Sequence, residues 1–93
     1  MALKINLKKN ILVPGLETEA VTLPEDVHTL RDLLQYIGRL IHFEIIALDT
    51  GDLQDDFEVS INGREAAFVP EGLDISLKDN DYVDIEIVPL GGG

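Results

Sequence analysis

Leu3, Ile5 and Leu7 alternate with Lys4, Asn6 and Lys8, the period of two that gives a strand one apolar and one polar face. Pro14-Gly15 supplies a turn. Val21 and Leu23 against Ala20 and Thr22 then make a second, shorter alternation, so residues 1 to 23 predict two strands of a hairpin, stopped by Pro24. Leu30, Leu33, Leu34, Ile37, Leu40 and Ile41 recur at helical spacing and form one wide apolar stripe, with Asp32, Gln35 and Arg39 facing away. Thr29, followed three residues later by Asp32, has the form of a capping box with aspartate in place of glutamate. Gly38 beside the stripe is read as the point where the helix approaches the sheet closely, and Tyr36 as a side chain that keeps its hydroxyl in water.

From Phe43 to Asp56 the period degrades, and Asp49-Thr50-Gly51-Asp52 is turn chemistry. The expectation there is a loop with one turn of helix. Phe57, Val59 and Ile61 alternate with Glu58, Ser60 and Asn62. Asn62-Gly63 is the strongest short hairpin signal a sequence offers, because both residues tolerate positive φ. A further alternation, Leu73, Ile75 and Leu77, follows Pro70 and Gly72 and predicts a short strand. Lys78-Asp79-Asn80-Asp81 then turns, with Asn80 suited to a left-handed position. Val83, Ile85 and Ile87 close the series as a last strand with Asp84 and Glu86 outward.

This order of elements, with one helix stripe available to cover one sheet face, predicts an α+β domain: a single mixed sheet of four to five strands covered on one face by one main helix. Joining the second strand to the third through a helix lets the first and last strands lie side by side in the centre. That is the β-grasp, or ubiquitin-like, arrangement. The expected domain spans 1-88 and leaves 89-93 as a glycine tail.

Composition narrows the function. The 93 residues suffice for one small domain, and 45% of them are hydrophobic, enough for a packed interior. There is no cysteine, hence neither disulfide nor thiolate chemistry. No apolar run approaches the ~20 residues needed to cross a bilayer, and the first residues lack a signal-peptide layout, so the expected location is cytoplasmic, without membrane contact. The formal net charge is -11, with Lys4, Lys8 and Lys9 gathered where no acid stands. A surface of that sign repels phosphate backbones and argues against nucleic-acid binding. Solubility as a free monomer is the plain alternative use of such charge.

Pro89-Leu90-Gly91-Gly92-Gly93 follows the last strand. Glycines have no side chain to bury and lose the most backbone freedom when fixed, so this stretch is expected to serve as an arm. Its reactive group is the Gly93 carboxylate, presented without a Cβ to obstruct a narrow cleft, and Gly91 to Gly93 reach about 10 Å when extended. An ordinary disordered end is the competing reading of the same residues.

Several stretches also resemble a known family. Phe57 to Glu65 is similar to a strand ending in Val-Asn-Gly, Leu77 to Val83 to a Leu-x-Asp-Gly-Asp-x-Val turn, Thr29 to Leu34 to a helix start Thr-Val-x-x-Leu-Leu, and Pro89 to Gly93 to a run ending in Gly-Gly. Together they resemble the MoaD/ThiS family of ubiquitin-like sulfur carriers. Asn80 stands where that family usually has glycine, and Leu90 with a third glycine replaces the commoner Ala or Val before two.

The resemblance implies a carrier and not an enzyme. Gly93 would be the sulfur-carrying terminus, and Pro89, Leu90, Gly91 and Gly92 the tail presented to partner clefts. An adenylating enzyme of the ubiquitin-activating type would use ATP to make an acyl-adenylate. A sulfur donor of desulfurase or rhodanese type would convert it to a thiocarboxylate, and a sulfur-accepting synthase of molybdopterin or thiamine type would consume it. The carrier itself would bind no cofactor. Two alternatives share the sequence: a ubiquitin-like modifier conjugated to lysines through Gly93, and an interaction module with an inert tail. Partners would meet the solvent face of the sheet, with Val88 and Phe68 as candidate anchors, although core is the preferred place for Phe68.

His28 and His42 lie about four helical turns apart, near opposite helix ends, and are set aside as metal ligands. The acids Asp49, Asp52, Asp55 and Asp56, and Asp79, Asp81 and Asp84, lack the twelve-residue calcium loop and are read as solvated faces.

Overall fold

The computed structural model describes residues 3–88. Five strands, β1 (Lys4–Lys9), β2 (Ala20–Thr22), β3 (Phe57–Ile61), β4 (Arg64–Glu65) and β5 (Tyr82–Ile87), form one sheet in the order β2-β1-β5-β3-β4, and the helix α1 (Leu30–Ile41) joins β2 to β3. β1 and β5 pair in parallel at the centre, while the other neighbours are antiparallel. The first and last strands therefore lie side by side, as the connection through a helix allows.

One face of the sheet is apolar because Ile5, Leu7, Val59, Ile61, Val83 and Ile85 alternate onto it, and the helix closes it with Leu30, Leu33, Leu34 and Ile37. Burying each of those helix residues contributes about 1.5–3 kcal/mol. Among the described residues no polar or charged residue is buried. The helix starts where predicted: Thr29 accepts from the Asp32 N–H at 3.1 Å, and Asp32 Oδ2 accepts from the backbone N–H groups of Thr29 at 3.2 Å and His28 at 3.0 Å. These donors, the His28 N–H foremost, hold the Asp32 carboxyl below its ordinary value against the opposing effect of burial. It ends at His42, which is left-handed at φ 56°.

Gly38 departs from expectation. A Cβ there would stand 2.7 Å from the Phe43 carbonyl oxygen, so the glycine makes room for the chain folding back off the helix and not for the sheet. Phe43 N–H in turn donates to the Gly38 carbonyl at 3.0 Å.

The Asn62-Gly63 hairpin and the turn at Asn80 both form as expected. Asn62 and Gly63 sit at φ 52° and 83°, the all-positive pair that matches strand twist, and Asn80 is left-handed at φ 70°. In the 43–56 segment the helical turn is a single one, closed by Gly51 N–H to the Ala47 carbonyl at 2.7 Å, at the tip of a loop whose limbs pair at Ile46 and Leu53. Ile45 and Ile46 are buried.

Leu73 to Leu77 is not the strand its alternation predicted. Gly72–Asp74 is a 3-10 turn, entered with Gly72 at φ 58°, and only Ser76 forms a bridge, to Thr29. The segment lies against the start of α1, where the Leu30 N–H donates to the Ile75 carbonyl and Leu77 N–H to the His28 carbonyl. An unpaired helix-end N–H has competed successfully for backbone that a sheet edge would otherwise take. Arg31 fastens this corner with its salt bridge to Asp74 at 3.0 Å and a hydrogen bond to the Gly51 carbonyl. Phe68, placed in the core by sequence, is 78% exposed on a 3-10 turn, Ala66–Phe68. That turn buries Ala66 instead.

Candidate functional site

β5 is the last strand and a central one, paired with β1 from Tyr82 to Ile85 and with β3 from Val83 to Ile87. Its final residues are where the chain departs toward 89–93. The paired register with β1 ends at Lys9 opposite Ile85, and beyond that point the Asn10 side chain takes over. Ile87 N–H donates to Asn10 Oδ1 at 2.8 Å, and Asn10 Nδ2 donates to the Ile87 carbonyl at 3.1 Å. On the opposite edge Val88 N–H donates to the Asp56 carbonyl at 2.8 Å. The last two described residues are thus fastened to both neighbours.

Around this point apolar side chains are left in water. Leu12 is 86%, Phe43 49% and Ile87 38% exposed. They share a groove of about 410 Å³ with Ile11, Ile41 and Phe57, and Asp56 is its one charged lining residue. Phe43 reaches this place because the left-handed His42 turns the chain off the helix, and its ring packs tilted on Phe57 at 5.7 Å between centroids. Ile87 belongs by register to the helix-facing side opposite Phe57. It stays half-open because α1 ends before it.

The other face of the sheet is polar and divided. β1 brings Lys4 and Lys8, while β3 and β5 bring Glu58, Asp84 and Glu86. Glu58 and Glu86 are direct cross-strand partners, a juxtaposition of like charge that costs stability. Val88, named as an anchor, is half-buried at the end of β5.

Pro89, Leu90, Gly91, Gly92 and Gly93, the residues on which the sequence reading places the chemistry, lie outside the described residues. The structure brings to their root Asn10, Asp56 and the apolar groove. Neither Asn10 nor the groove was singled out by sequence, and Asp56 was read there only as part of a solvated acidic face. An isolated amide at the point where the β1 alternation stops was the available signal for Asn10.

His28 and His42 stay apart at the two ends of α1, both exposed, and no group of three or more metal-ligating side chains exists among the described residues. Asp79 and Asp81 prove to be backbone partners: Lys4 N–H donates to Asp79 Oδ1 at 3.0 Å, and Lys78 N–H to Asp81 Oδ2 at 2.8 Å. No helix among the described residues is long and apolar enough to cross a membrane.

No family model matches the chain, and no curated protein matches it significantly. Solved structures do. The HVO 2177 protein of Haloferax volcanii superposes with a TM-score of 0.68 at 19% identity, over 98% of this chain and 88% of that one. The small archaeal modifier protein 1 of Methanosarcina acetivorans gives 0.64 at 22%, over 100% and 99%. Urm1 of Trypanosoma brucei gives 0.60 at 23%, over 98% and 97%.

The fold is the ubiquitin-like β-grasp.

At such identities the likeness is one of fold. What the β-grasp contributes here is geometric: a central last strand whose end carries a clamp on each edge and an apolar groove beside it.

Proposed function

We propose that this chain is a ubiquitin-like carrier whose Gly93 carboxylate is activated by a partner enzyme and loaded with sulfur. The observation that carries the reading is the conjunction of a clamped, apolar-rimmed end of the central strand with Pro-Leu-Gly-Gly-Gly directly after it. A carboxylate is a poor electrophile, because its charge is delocalised and its leaving group would be oxide. An ATP-using adenylating enzyme removes the difficulty: a carboxylate oxygen attacks the α-phosphorus, pyrophosphate leaves, and the acyl carbon now carries AMP.

The terminal sulfur of a persulfide on the donor then attacks that carbon and expels AMP. A second thiol reduces the resulting acyl disulfide, becoming half of a disulfide itself, and releases the thiocarboxylate. Three glycines let the carbon enter a cleft without steric hindrance. Leu12, Phe43 and Ile87 give the partner an apolar surface to cover while it holds the tail. The resemblance to the MoaD/ThiS family supports a cofactor-forming synthase, of molybdopterin or thiamine type, as acceptor of the sulfur. The protein in this reading is a substrate of other enzymes and performs no catalysis of its own.

One observation favours a second use of the same activated terminus: a structural neighbour is named a modifier protein. A lysine amine attacking the acyl carbon would expel AMP equally well and leave an isopeptide bond.

Intact mass analysis of the protein purified from its own cell separates the two. A species ending at Gly93 with one oxygen replaced by sulfur supports the carrier, and covalent adducts to other proteins through Gly93 support the modifier. A terminus that stays a plain carboxylate, with no ATP-dependent activation by adenylating enzymes of that cell, counts against both.

A further inference from the structure

β1 turns away toward Ile11 and Leu12 just where Ile87 still needs a partner on that edge. Asn10 provides one from its side chain, because a carboxamide carries the same donor and acceptor pair as a peptide group. It receives the Ile87 N–H at 2.8 Å and donates to the Ile87 carbonyl at 3.1 Å, adding one rung to the β1–β5 ladder without adding a residue to β1. Burial does not hold Ile87, which is 38% exposed. Hydrogen bonding does, from Asn10 on one edge and, one residue on, from the Asp56 carbonyl on the other.

We propose that Asn10 is a positioning residue for activation of the tail. By holding both backbone groups of Ile87, it fixes Val88 as the point at which residues 89–93 leave the body, so that a partner's cleft meets a tail whose root is already in place. The role in activation rests on the carrier reading. Without Asn10 the partner must itself order the end of β5, and ordering about one extra residue of backbone weakens binding by about 5- to 30-fold. Chemistry after binding is untouched. The expected signature is therefore a rise in KM with kcat unchanged.

The test uses the full chain and three variants. Asn10→Ala removes both bonds, Asn10→Asp keeps the acceptor for the Ile87 N–H but cannot donate when ionised, and Asn62→Ala weakens the opposite end of β5 as a stability control. Amide hydrogen exchange at Ile87 is read by NMR. KM and kcat are read from ATP–pyrophosphate exchange with an adenylating enzyme of the same cell, the chain being the varied substrate. Asn10→Ala is expected to speed Ile87 exchange by about 10-fold or more and to raise KM as above, with Asn10→Asp in between and Asn62→Ala leaving KM alone.

Unchanged Ile87 exchange in Asn10→Ala overturns the proposal, as does a KM rise that Asn62→Ala matches. Should no adenylating enzyme accept the wild-type chain, the carrier reading falls and takes the role in activation with it. The exchange measurement still decides whether Asn10 holds the end of β5.

Discussion

At the Tyr82 end of β5, polar side chains close the structure: Asn62 accepts the Tyr82 N–H at 2.9 Å and donates to Asp81 at 3.1 Å, while Asp79 and Asp81 take the N–H groups of Lys4 and Lys78. At the Ile87 end, Asn10 and a single Asp56 carbonyl hold the strand, and Leu12, Phe43 and Ile87 stand bare around it. Leaving apolar area in water forgoes about 25 cal/mol per Å². A sheet that needed only to be stable gains nothing from this asymmetry. The Tyr82 end is closed by side-chain hydrogen bonds, and the Ile87 end keeps apolar surface that contact with a partner would cover in the carrier reading proposed above.

Removing Gly92 and Gly93 tests the open end most severely. Activation by an adenylating enzyme of the same cell should drop to background, with the thermal midpoint unchanged, because glycines carry no side chain to pack. Pyrophosphate exchange and a melting curve on the same preparation measure the two. Retained activation would return the tail to an inert end and erase the functional half of the comparison.

The closed end should answer in stability instead. Asn62→Ala places a β-carbon without polar function at φ 52° and removes the bonds to Tyr82 and Asp81. The expected loss in urea unfolding is about 2–3 kcal/mol. A loss under about 0.5 kcal/mol would mean that those bonds do not close that end.

Gly38 sharpens the contrast from the helix side. Helix propensity alone says that Gly38→Ala stabilises by about 1 kcal/mol. The new Cβ, however, would lie 2.7 Å from the Phe43 carbonyl, which is backbone and can yield only if the chain reversal that delivers Phe43 to the open end shifts. The sign should therefore invert, to a destabilisation of about 1–2 kcal/mol, accompanied by a change in the Phe43 ring environment seen by NMR. A more stable variant would show that the reversal is adjustable.

The two ends differed in how far sequence revealed them. Asn62-Gly63, Asn80 and the Thr29–Asp32 box were legible because each depends on one or two adjacent residues and a local backbone preference. The sheet order followed from the position of the helix among the strands. Asn10 was not read from sequence: its partner Ile87 is 77 residues away, and an amide standing where the β1 alternation stops is a mark too weak to name that partner. Leu73 to Leu77 misled because alternation reports two faces and not what covers them. Its partner is the first turn of α1, not a strand edge. Phe68 misled for a related reason, since a hydrophobic residue next to a 3-10 turn has no period to place it. The glycines of the tail, to which the sequence assigns the chemistry, lie outside the described residues.

The smallest effect concerns the capping box, which belongs to the closed end because Leu77 N–H bonds the His28 carbonyl there. Asp32 accepts from the backbone of His28 and Thr29, and these donors, the His28 N–H foremost, lower its pKa below the ordinary aspartate value of 3.8. A depressed carboxyl means that the unfolded chain binds the proton more readily. The stabilisation is therefore complete above the unfolded value and disappears as pH falls through the folded one. The chain carries 18 Asp and Glu residues, so the informative quantity is the stability difference between wild type and Asp32→Asn. It should be about 0.5–1 kcal/mol near neutral pH and shrink toward zero as pH falls through the lowered folded-state value. A difference independent of pH would assign the contribution of Asp32 to its shape and not to its charge. The start of α1 would then be held by the Thr29 hydroxyl and the Ser76 bridge without electrostatic help.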